Sequence, residues 1–378
     1  MAGIYIHIPY CKSFCSYCDF YHVLLPEDTE PLIDSLVNEA SLRRGYLAGE
    51  TVSTIYVGGG TPSVLPAGRT AFLLDSIRKL FAVVSGSEIT IEINPDDTDT
   101  DYLKALLDSG FNRISIGVQS WRDSDLRLLN RRHTAKQASV AIESALNAGF
   151  ANVSVDLIYG IPGLDAEAWA ANLDSTLAYG IQHLSAYHLT VEPGTLLSKM
   201  KERGAFNEMD EEDSNNQFNI LVEKTGSAGF IQYEISNFAL PGFFSIHNSN
   251  YWRQVKYLGL GPSAHSFNGY SRQWNERDVK RYIKTVKSGI LNFESEELDR
   301  RTRFNEYIMT SLRTVWGINL EYVEEVFDKE GYDYIVNLSG KLVDYGLMKQ
   351  EKNTLVLTNQ GKMISDNIIS ELMLPGDE

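Results

Sequence analysis

The sequence predicts an α/β fold in which parallel strands alternate with helices. Six short β-branched segments recur in the first half of the chain, and longer segments with apolar residues at helical spacing lie between them. This alternation is typical of a parallel sheet covered by helices. Both an open doubly wound sheet and a complete or partial barrel fit the pattern, and in both the functional residues lie at the carboxyl ends of the strands.

The individual elements follow from residue type and spacing. The predicted strands, which share short β-branched runs, are 3–8, 54–57, 88–93, 113–118, 152–158 and 183–189. The predicted helices, which share an apolar stripe, are 29–47, 67–81, 101–109, 135–148 and 166–179. Several of these helices end near Gly, the residue that most often follows a helix C-terminus.

The second half of the chain has a different sequence pattern. An acidic run, 209–213, predicts a helix N-terminus, because carboxylates there interact favourably with the helix dipole. From residue 298, three helical patterns, a hairpin over 347–357 and a last helix predict a winged-helix-like appendix without a basic recognition helix. We therefore expect a barrel in 1–230, an irregular aromatic-rich segment in 231–297, and a C-terminal domain in 298–378 with a scaffolding or lid role.

Composition excludes several classes of protein. Of 378 residues, 43% are hydrophobic and 22% charged, which is typical of a folded globular protein. The net charge of −16 disfavours nucleic acid as a partner, because the protein would repel a phosphate backbone. No apolar run approaches the roughly 20 residues of a membrane span, and no basic region precedes an apolar stretch at the start of the chain, so we expect a cytoplasmic protein.

The three cysteines of the chain are clustered near its beginning. Cys11, Cys15 and Cys18 directly follow the first predicted strand. Such clustering does not suit a disulfide framework and indicates a metal site. Zinc would need a fourth protein ligand, for which His7 and His22 are the nearest candidates. An iron–sulfur cluster held by three thiolates would keep one iron open to another ligand.

Polar residues follow several of the other predicted strands. The second strand leads into a glycine-rich segment, 58–62, whose backbone can approach a ligand closely. Glu92, Gln119 and Asp156 lie at the ends of the third, fourth and fifth strands, and Arg131 follows the fourth strand at a distance. Each would be unremarkable alone, but polar residues at successive strand ends are typical of the functional face of a barrel.

With an aromatic residue before its last cysteine, the Cys-x3-Cys-x2-Cys motif resembles that of the radical S-adenosylmethionine (SAM) superfamily. The resemblance implies a partial TIM-type barrel of six strand–helix units, a [4Fe–4S] cluster on the three cysteines, and SAM bound to the open iron through its amine and carboxylate. In that superfamily, reductive cleavage of SAM gives a 5′-deoxyadenosyl radical.

The order of motifs along nearly the whole chain resembles, more narrowly, oxygen-independent coproporphyrinogen III oxidase and its relatives. This resemblance implies that a shared set of residues lines the SAM site: Tyr5, Gly59, Gly60, Thr61, Glu92, Gln119, Arg131 and Asp156. Arg131 would pair with the SAM carboxylate, because its guanidinium is planar and always charged.

Two departures separate this sequence from the oxidase. Only ten residues precede Cys11, and Phe20 stands where the oxidase has a fourth cysteine. The chain carries instead a segment, 247–252, that resembles the His-Asn-x-x-Tyr-Trp motif of the haem chaperone branch. The resemblance implies haem as cargo near His247 and Tyr251, with His265 as a spare iron ligand. Read without the resemblance, Tyr251 and Trp252 would be core aromatics, and His247 would only form hydrogen bonds with the backbone.

Two functions therefore follow from the resemblance. The first is a haem chaperone that delivers haem to client haemoproteins, among them membrane-associated respiratory enzymes, and that is able to form a homodimer. The alternative is an enzyme that decarboxylates coproporphyrinogen III oxidatively through the deoxyadenosyl radical.

Overall fold

A computed structural model describes residues 1–376, which are organised around one sheet of 12 strands. The strands of this sheet are β1 (Ala2–Ile8), β2 (Val52–Gly59), β3 (Val83–Ile93), β4 (Arg113–Gln119), β5 (Val153–Tyr159), β6 (His183–His188), β7 (Ile231–Gln232), β8 (Asn237–Ala239), β9 (Tyr257–Leu260), β10 (His265–Phe267), β11 (Ser271–Asn275) and β12 (Phe293–Glu297). Their order across the sheet is β12-β11-β10-β9-β1-β2-β3-β4-β5-β6-β8-β7. Strands β1 to β6 are parallel and follow in chain order.

Helices connect the parallel strands and continue into the C-terminal part of the chain. They are α1 (Glu30–Leu42), α2 (Ala67–Leu80), α3 (Thr100–Ser109), α4 (Asp123–Leu128), α5 (Ala135–Ala148), α6 (Ala166–Leu177), α7 (Leu196–Glu202), α8 (Glu211–Ser227), α9 (Ile246–Trp252), α10 (Val279–Lys287), α11 (Arg300–Leu312), α12 (Leu320–Asp344), α13 (Asn359–Met363) and α14 (Ser365–Leu372). All predicted strands and helices of the first half are confirmed, as is the helix after the acidic run, which Asp210 caps.

The six parallel strands form a partial barrel of the expected type. Within the described residues, β1 pairs on its outer side with β9 and β6 pairs with β8, so the first and last parallel strands do not close on each other. The fold class predicted by resemblance is therefore confirmed. None of the helices in this part of the chain combines the length and apolar composition needed to cross a bilayer.

The two faces of the parallel strands differ in polarity. One alternating set is apolar and fully buried, and Ile4, Ile6 and Ile91 exemplify it in the large core shared with the helices. The other set is polar and faces the inside of the barrel, where its members bond to one another. The inward-facing bonds are Tyr56 to Glu92, Ser115 to Asp156, and Ser154 to His183. The interior of the barrel is therefore polar and hydrogen-bonded, not apolar.

The segment 231–297, which we expected to be irregular, is largely regular. It contains β7 to β12 together with α9 and α10, and it extends the sheet at both edges. These strands are two to five residues long. Runs this short are too brief to show a clear alternation in sequence, which explains why they were not predicted.

The C-terminal region has a hydrophobic core of its own and the elements expected of a winged-helix-like unit. Three short strands, β13 (Ile318–Asn319), β14 (Met348–Glu351) and β15 (Thr354–Leu357), pair in the order β13-β15-β14. Phe304, Ile308, Val323 and Ile369 belong to its core. Asp328 has a φ of 61° and interrupts α12, so the long helix consists of two parts. The domain limits given above remain predictions.

Candidate functional site

The carboxyl ends of the parallel strands surround a cavity of about 460 Å³. Most of the residues singled out from the sequence line it: Cys11, Cys15, Cys18, Gly59, Gly60, Thr61, Glu92, Gln119, Arg131 and Asp156. These residues come from the loop after β1, from β2 to β5 and the segments that follow them, so the fold brings together groups that lie far apart in the chain.

Each of two cysteines receives a hydrogen bond from a neighbouring side chain. The hydroxyl of Thr61 donates to Cys11 Sγ at 3.3 Å, and Nη1 of Arg131 donates to Cys15 Sγ at 3.3 Å. Donors of this kind stabilise negative charge on sulfur. The two hydrogen bonds would therefore stabilise thiolates at Cys11 and Cys15.

The backbone of the cysteine loop is tied to the segment between α4 and α5. The amide of Ser16 donates to the carbonyl of Leu129 at 3.0 Å, and the side-chain amide of Asn130 donates to the carbonyl of Phe14 at 2.6 Å. These bonds fix the loop against the same segment that carries Arg131, so the thiols and the guanidinium are held as one unit.

Burial disfavours the free thiolate form of two of the cysteines. Burial raises the pKa of the Cys11 thiol, and burial raises the pKa of Cys18 to about 12. A thiol with a raised pKa stays protonated at neutral pH unless a metal ion takes the place of the proton. The thiolate forms of Cys11 and Cys18 would therefore depend on a bound cation.

The zinc interpretation finds no support in the positions of the two histidines. Both ring nitrogens of His7 are engaged, Nδ1 with the hydroxyl of Tyr5 at 3.1 Å and Nε2 with the carbonyl of Tyr21 at 2.9 Å. Nδ1 of His22 lies 2.6 Å from the carbonyl of Phe20 and 3.8 Å from Cys18 Sγ. Within residues 1–376, no three His, Cys, Asp or Glu side chains gather around a position for a single metal ion.

Two positions of the segment after β2 have room only for glycine. Gly59 has a φ of 114°, and a Cβ there would lie 2.6 Å from Nδ1 of His7. A Cβ on Gly60 would lie 3.0 Å from Cys11 Sγ and 2.9 Å from the carbonyl oxygen of Tyr10. Only glycine lets this segment pass so close to the cysteine loop.

Glu92 is a buried carboxylate at the end of β3. It accepts hydrogen bonds from the hydroxyl of Tyr56 at 2.8 Å and from the amide of Gly59 at 3.1 Å. Burial, together with the nearby Asp156 carboxylate, raises the pKa of Glu92 to about 7. A cation that enters the cavity next to Glu92 would favour its ionised form.

Gln119 ends β4, and Asp156 lies in the middle of β5. Gln119 has a φ of 68°, a conformation that is uncommon outside glycine, where the pairing between β4 and β5 shifts register. Asp156 accepts hydrogen bonds from the hydroxyl of Ser115 at 3.1 and 3.2 Å. Burial raises the pKa of Asp156. Strained backbone at a strand end is a feature of functional sites.

Arg131 is bonded to the protein at its terminal nitrogens only. Nη2 donates to the carbonyl of Gly117 at 2.8 Å and to the side-chain oxygen of Asn94. Its Nε is buried and has no hydrogen-bond partner within the described residues, and the same is true of Nε of Arg113, which also lines the cavity. A buried donor without a partner is costly, so these guanidinium groups are suited to an anionic ligand group.

The structure does not bring Tyr5, His247 and Tyr251 to the wall of the cavity. His247 is 1% exposed, and its ring nitrogens lie 2.8 Å from the hydroxyl of Thr54 and 2.9 Å from that of Tyr251. The ring stacks on Tyr56 inside the barrel, with 5.1 Å between centroids. In this arrangement both nitrogens are occupied and the side chain is enclosed, and ligation of haem iron by His247 stays a prediction.

The backbone around His247 explains its position. The carboxylate of Glu88, in the middle of β3, accepts hydrogen bonds from the amides of Ile246 and His247 at 2.9 and 2.8 Å. This bonding anchors the N-terminus of α9 at the amino end of the strands. Helix α9 therefore covers the barrel at the amino end of its strands, and Asn248 lines the cavity from the same end.

We expect replacement of His247 by alanine to lower the free energy of unfolding by about 2 kcal/mol, because a buried, hydrogen-bonded ring is lost. We expect haem affinity to change less than about threefold, since the imidazole is not exposed to a ligand. Thermal unfolding and haem titration of the variant test both expectations. A loss of haem binding in a variant that remains folded would restore His247 to the binding site.

His265, the second imidazole suggested as an iron ligand, lies elsewhere. It is exposed on β10, and its ring stacks on Trp274 with 5.9 Å between centroids. It does not line the cavity among the strand ends.

Sequence reasoning missed several residues that line the cavity: Tyr56, Asn94, Arg113, Ser115, Ser185 and Tyr187. All but Asn94 occupy inward positions of the parallel strands. A polar residue at every second position of an otherwise apolar strand was the available signal, and it indicates a strand whose inner face contacts a polar ligand or water.

Comparison with known proteins agrees with this geometry. Residues 5–175 match the model of a protein family that is described as "Radical SAM superfamily". The chain is 30% identical to the heme chaperone HemW of Bacillus subtilis over 376 residues, covering 99% of each protein. It is 32% identical to the heme chaperone HemW of Mycobacterium tuberculosis (strain H37Rv), covering 98% of this chain and 94% of that protein.

A solved structure shares the fold over nearly the whole chain. The coproporphyrinogen III oxidase HemN of Escherichia coli superimposes with a TM-score of 0.84 at 23% identity, covering 98% of this chain and 90% of the other. The partial barrel and the cysteine loop at its carboxyl edge define a radical SAM-type protein. Within that superfamily, the chain belongs to the family of the HemW proteins.

Proposed function

We propose that this protein is a haem chaperone of the radical SAM type, which binds haem and delivers it to client haemoproteins. The observation that carries the proposal is the similarity to HemW proteins along almost the entire length of the chain, at 30% and 32% identity. Such similarity includes the C-terminal region as well as the barrel.

Cys11, Cys15 and Cys18 would hold a [4Fe–4S] cluster. The donor set fits this group, because the thiols share one cavity wall and two of them receive hydrogen bonds. The chain has three cysteines in total, so a three-thiolate cluster keeps one iron for a non-protein ligand. When bound, the cluster supplies a site for chelation and for one-electron reduction.

Residues at the ends of β2 to β5 would hold SAM in the same cavity. Arg131 is suited to the carboxylate of the ligand, because its Nε has no hydrogen-bond partner among residues 1–376 and the group is always charged. The carboxylate of Glu92 is suited to the amino group of the ligand, since it presents an acceptor, and the segment of Gly59 to Thr61 lines the same cavity. Gln119 and Asp156 would complete the polar wall, whereas Tyr5 acts behind it through its bond to His7.

The pKa of Glu92 predicts a pH dependence of SAM binding. Since the pKa is raised to about 7, the carboxyl group is protonated below that value and must lose its proton when a cation binds beside it. We therefore expect SAM affinity to rise by about tenfold between pH 6 and pH 8 and then to level off. Equilibrium dialysis with labelled SAM at several pH values measures the effect.

The matched variant for this prediction is Glu92→Gln, which keeps the shape of the side chain and removes the titrating group. Its SAM affinity should be weaker and nearly independent of pH in the same range. A wild-type profile that is flat, or a variant profile that keeps the slope, would contradict a role for Glu92 beside the ligand.

The enzyme interpretation, oxidative decarboxylation of coproporphyrinogen III, is separated from the chaperone interpretation by one experiment. Reduced protein with a reconstituted cluster is incubated anaerobically with SAM and coproporphyrinogen III, and in parallel is loaded with haem and mixed with a haem-free globin. We expect transfer of haem to the globin and no protoporphyrinogen. Formation of protoporphyrinogen with stoichiometric 5′-deoxyadenosine would establish the enzyme interpretation instead.

The identity of the partners is part of the proposal. Client haemoproteins in general follow from the proposed function, and membrane-associated respiratory enzymes are the predicted clients. A homodimer is the predicted assembly, which light scattering of the purified protein tests directly.

A further inference from the structure

The amino end of the barrel cavity contains a guanidinium group that the proposed SAM site does not use. Arg113 begins β4, lines the cavity and is 1% exposed. Its Nε is buried and has no hydrogen-bond partner in residues 1–376. We call this end of the cavity, which Arg113 and Asn248 line, the barrel floor. A buried charged donor without a partner is costly, so Arg113 is suited to an anionic ligand group.

A second buried atom without a partner lies beside this guanidinium. Thr90 of β3 is the register partner of Arg113, so the two side chains leave adjacent parallel strands on the same face. Thr90 is fully buried, and its hydroxyl has no hydrogen-bond partner within the described part of the chain. A carboxylate accepts hydrogen bonds from guanidinium and hydroxyl groups alike, so one ligand group would satisfy both residues.

The carboxyl groups closest to Arg113 do not neutralise it. Glu92 is bonded to the hydroxyl of Tyr56, and Asp156 is bonded to that of Ser115. Among residues 1–376, neither carboxyl group forms an ion pair with Arg113. Burial raises the pKa of Glu92 to about 7 and also raises the pKa of Asp156, so their negative charge is incomplete at neutral pH. The charge of Arg113 is therefore available to a ligand.

Two buried imidazoles also lie near Arg113, and neither offers it an acceptor. Both ring nitrogens of each imidazole are bonded to hydroxyl groups. The partners are Ser154 and Tyr233 for His183, and Thr54 and Tyr251 for His247. The polar groups around Arg113 are thus bonded among themselves.

The barrel floor lies at a different level from the position proposed for the SAM carboxylate. Arg131 donates to the carbonyl of Gly117, which follows Arg113 four positions later on β4. At about 3.3 Å per residue, the two backbone positions are roughly 13 Å apart along the strand. A carboxylate that pairs with Nε of Arg131 therefore leaves Arg113 without a partner.

We propose that the barrel floor is a second ligand site, which binds the carboxylate of a small organic acid through Arg113 and Thr90 while SAM occupies the cysteine side of the cavity. The site goes beyond the chaperone function, because haem transfer requires no such ligand. Its simultaneous occupancy rests on the SAM site proposed above. The whole cavity has a volume of about 460 Å³, which is near the lower end for one drug-sized ligand, so the acid must be small.

The probe is propionate, and its uncharged analogue of similar shape is propionamide. Protein with a reconstituted cluster is titrated with each compound, with and without saturating SAM, and binding is followed by saturation-transfer NMR. We expect the dissociation constant of propionate to change less than about threefold on SAM addition, because the two ligands occupy different positions. Propionamide should bind at least about tenfold more weakly, since it lacks the charge that pairs with Arg113.

Three variants locate the site. Arg113→Gln should weaken propionate binding by at least about tenfold, because it removes the charge-assisted contact. Thr90→Val should weaken it by about threefold and should keep the fold, since it removes only a hydroxyl without a partner. The control is Arg132→Gln, which removes a guanidinium of the same cavity that is already paired with Asp96 and Asp97, and which should change the affinity less than about twofold.

Thermal unfolding shows whether each variant is folded. If Arg113→Gln is not folded, Thr90→Val and the comparison of propionate with propionamide decide the question. Unchanged propionate affinity in the folded variants would mean that the barrel floor is not the site. Chloride should displace propionate only weakly, because it lacks a pair of oxygens for the guanidinium. Displacement at equal concentration would show a general anion site and overturn the assignment to an organic acid.

The response to SAM separates this inference from the proposed function. Full displacement of propionate by SAM would mean that the SAM carboxylate itself occupies Arg113, and the second site would be wrong. A wild-type protein that binds SAM but not propionate would also overturn the second site and leave the proposed function intact. A protein that binds propionate but not SAM would keep the anion site and contradict the SAM site of the proposed function.

Discussion

Replacing Cys15 by alanine is expected to remove nearly all iron and sulfide from the protein. The chain has three cysteines, all in this loop, so no other thiol can take over the lost position. Iron and sulfide analysis of anaerobically prepared protein, together with its visible absorption, measures the loss. The fold should persist, because the apolar core between strands and helices does not include any of the three cysteines.

The control for this variant is Thr61→Val, which removes the hydroxyl that donates to Cys11 but keeps every sulfur ligand. We expect it to retain the iron and to lower the reduction potential of the cluster, because a hydrogen bond to sulfur stabilises the reduced, more negative state. A full complement of iron in Cys15→Ala, or zinc instead of iron in the wild type, would remove the basis of the radical SAM interpretation.

Much of the barrel could be predicted from the sequence because its strands are strongly patterned. Runs such as Ile4, Ile6 and Ile8 bury their side chains fully against the helices. The functional residues of these strands could also be predicted, because Glu92 and Asp156 interrupt otherwise apolar runs. Long, regular segments carry their own secondary-structure signal.

The position of His247 could not be predicted from the sequence. Its burial depends on Glu88, more than 150 residues away, which caps α9, and on Thr54, which bonds the ring. No local pattern connects these residues, so the motif alone suggested an exposed iron ligand. The same limit applies to β9, a four-residue strand that pairs with β1 across most of the chain.

The arrangement of the barrel cavity makes Arg131 the residue whose loss should affect SAM binding most. Two of its nitrogens are already fixed by Gly117, Asn94 and Cys15, and this bonding holds Nε in place without satisfying it. A rigid, buried and partly unsatisfied cation binds a carboxylate more strongly than a mobile surface group does, because little order is lost on binding.

Replacing Arg131 by glutamine should therefore weaken SAM binding by about 3 kcal/mol, more than a hundredfold, since a buried charge-assisted contact is broken. Equilibrium dialysis and the change in cluster absorption on SAM addition measure the loss. Arg132→Gln is the matched control: the neighbouring guanidinium is already paired with Asp96 at 2.9 Å and Asp97 at 2.8 Å, so its removal should cost less than about fivefold.

Iron content must be measured in the same samples, because Arg131 also donates to Cys15. If Arg131→Gln loses iron, Arg131→Lys provides the test, since it keeps the charge beside the sulfur and removes the planar pair of donors. Full SAM affinity in an iron-replete Arg131 variant would mean that the ligand carboxylate binds elsewhere in the cavity. Arg113 would then be the remaining buried guanidinium with an unsatisfied nitrogen on that wall, and the SAM orientation proposed here would have to be reversed.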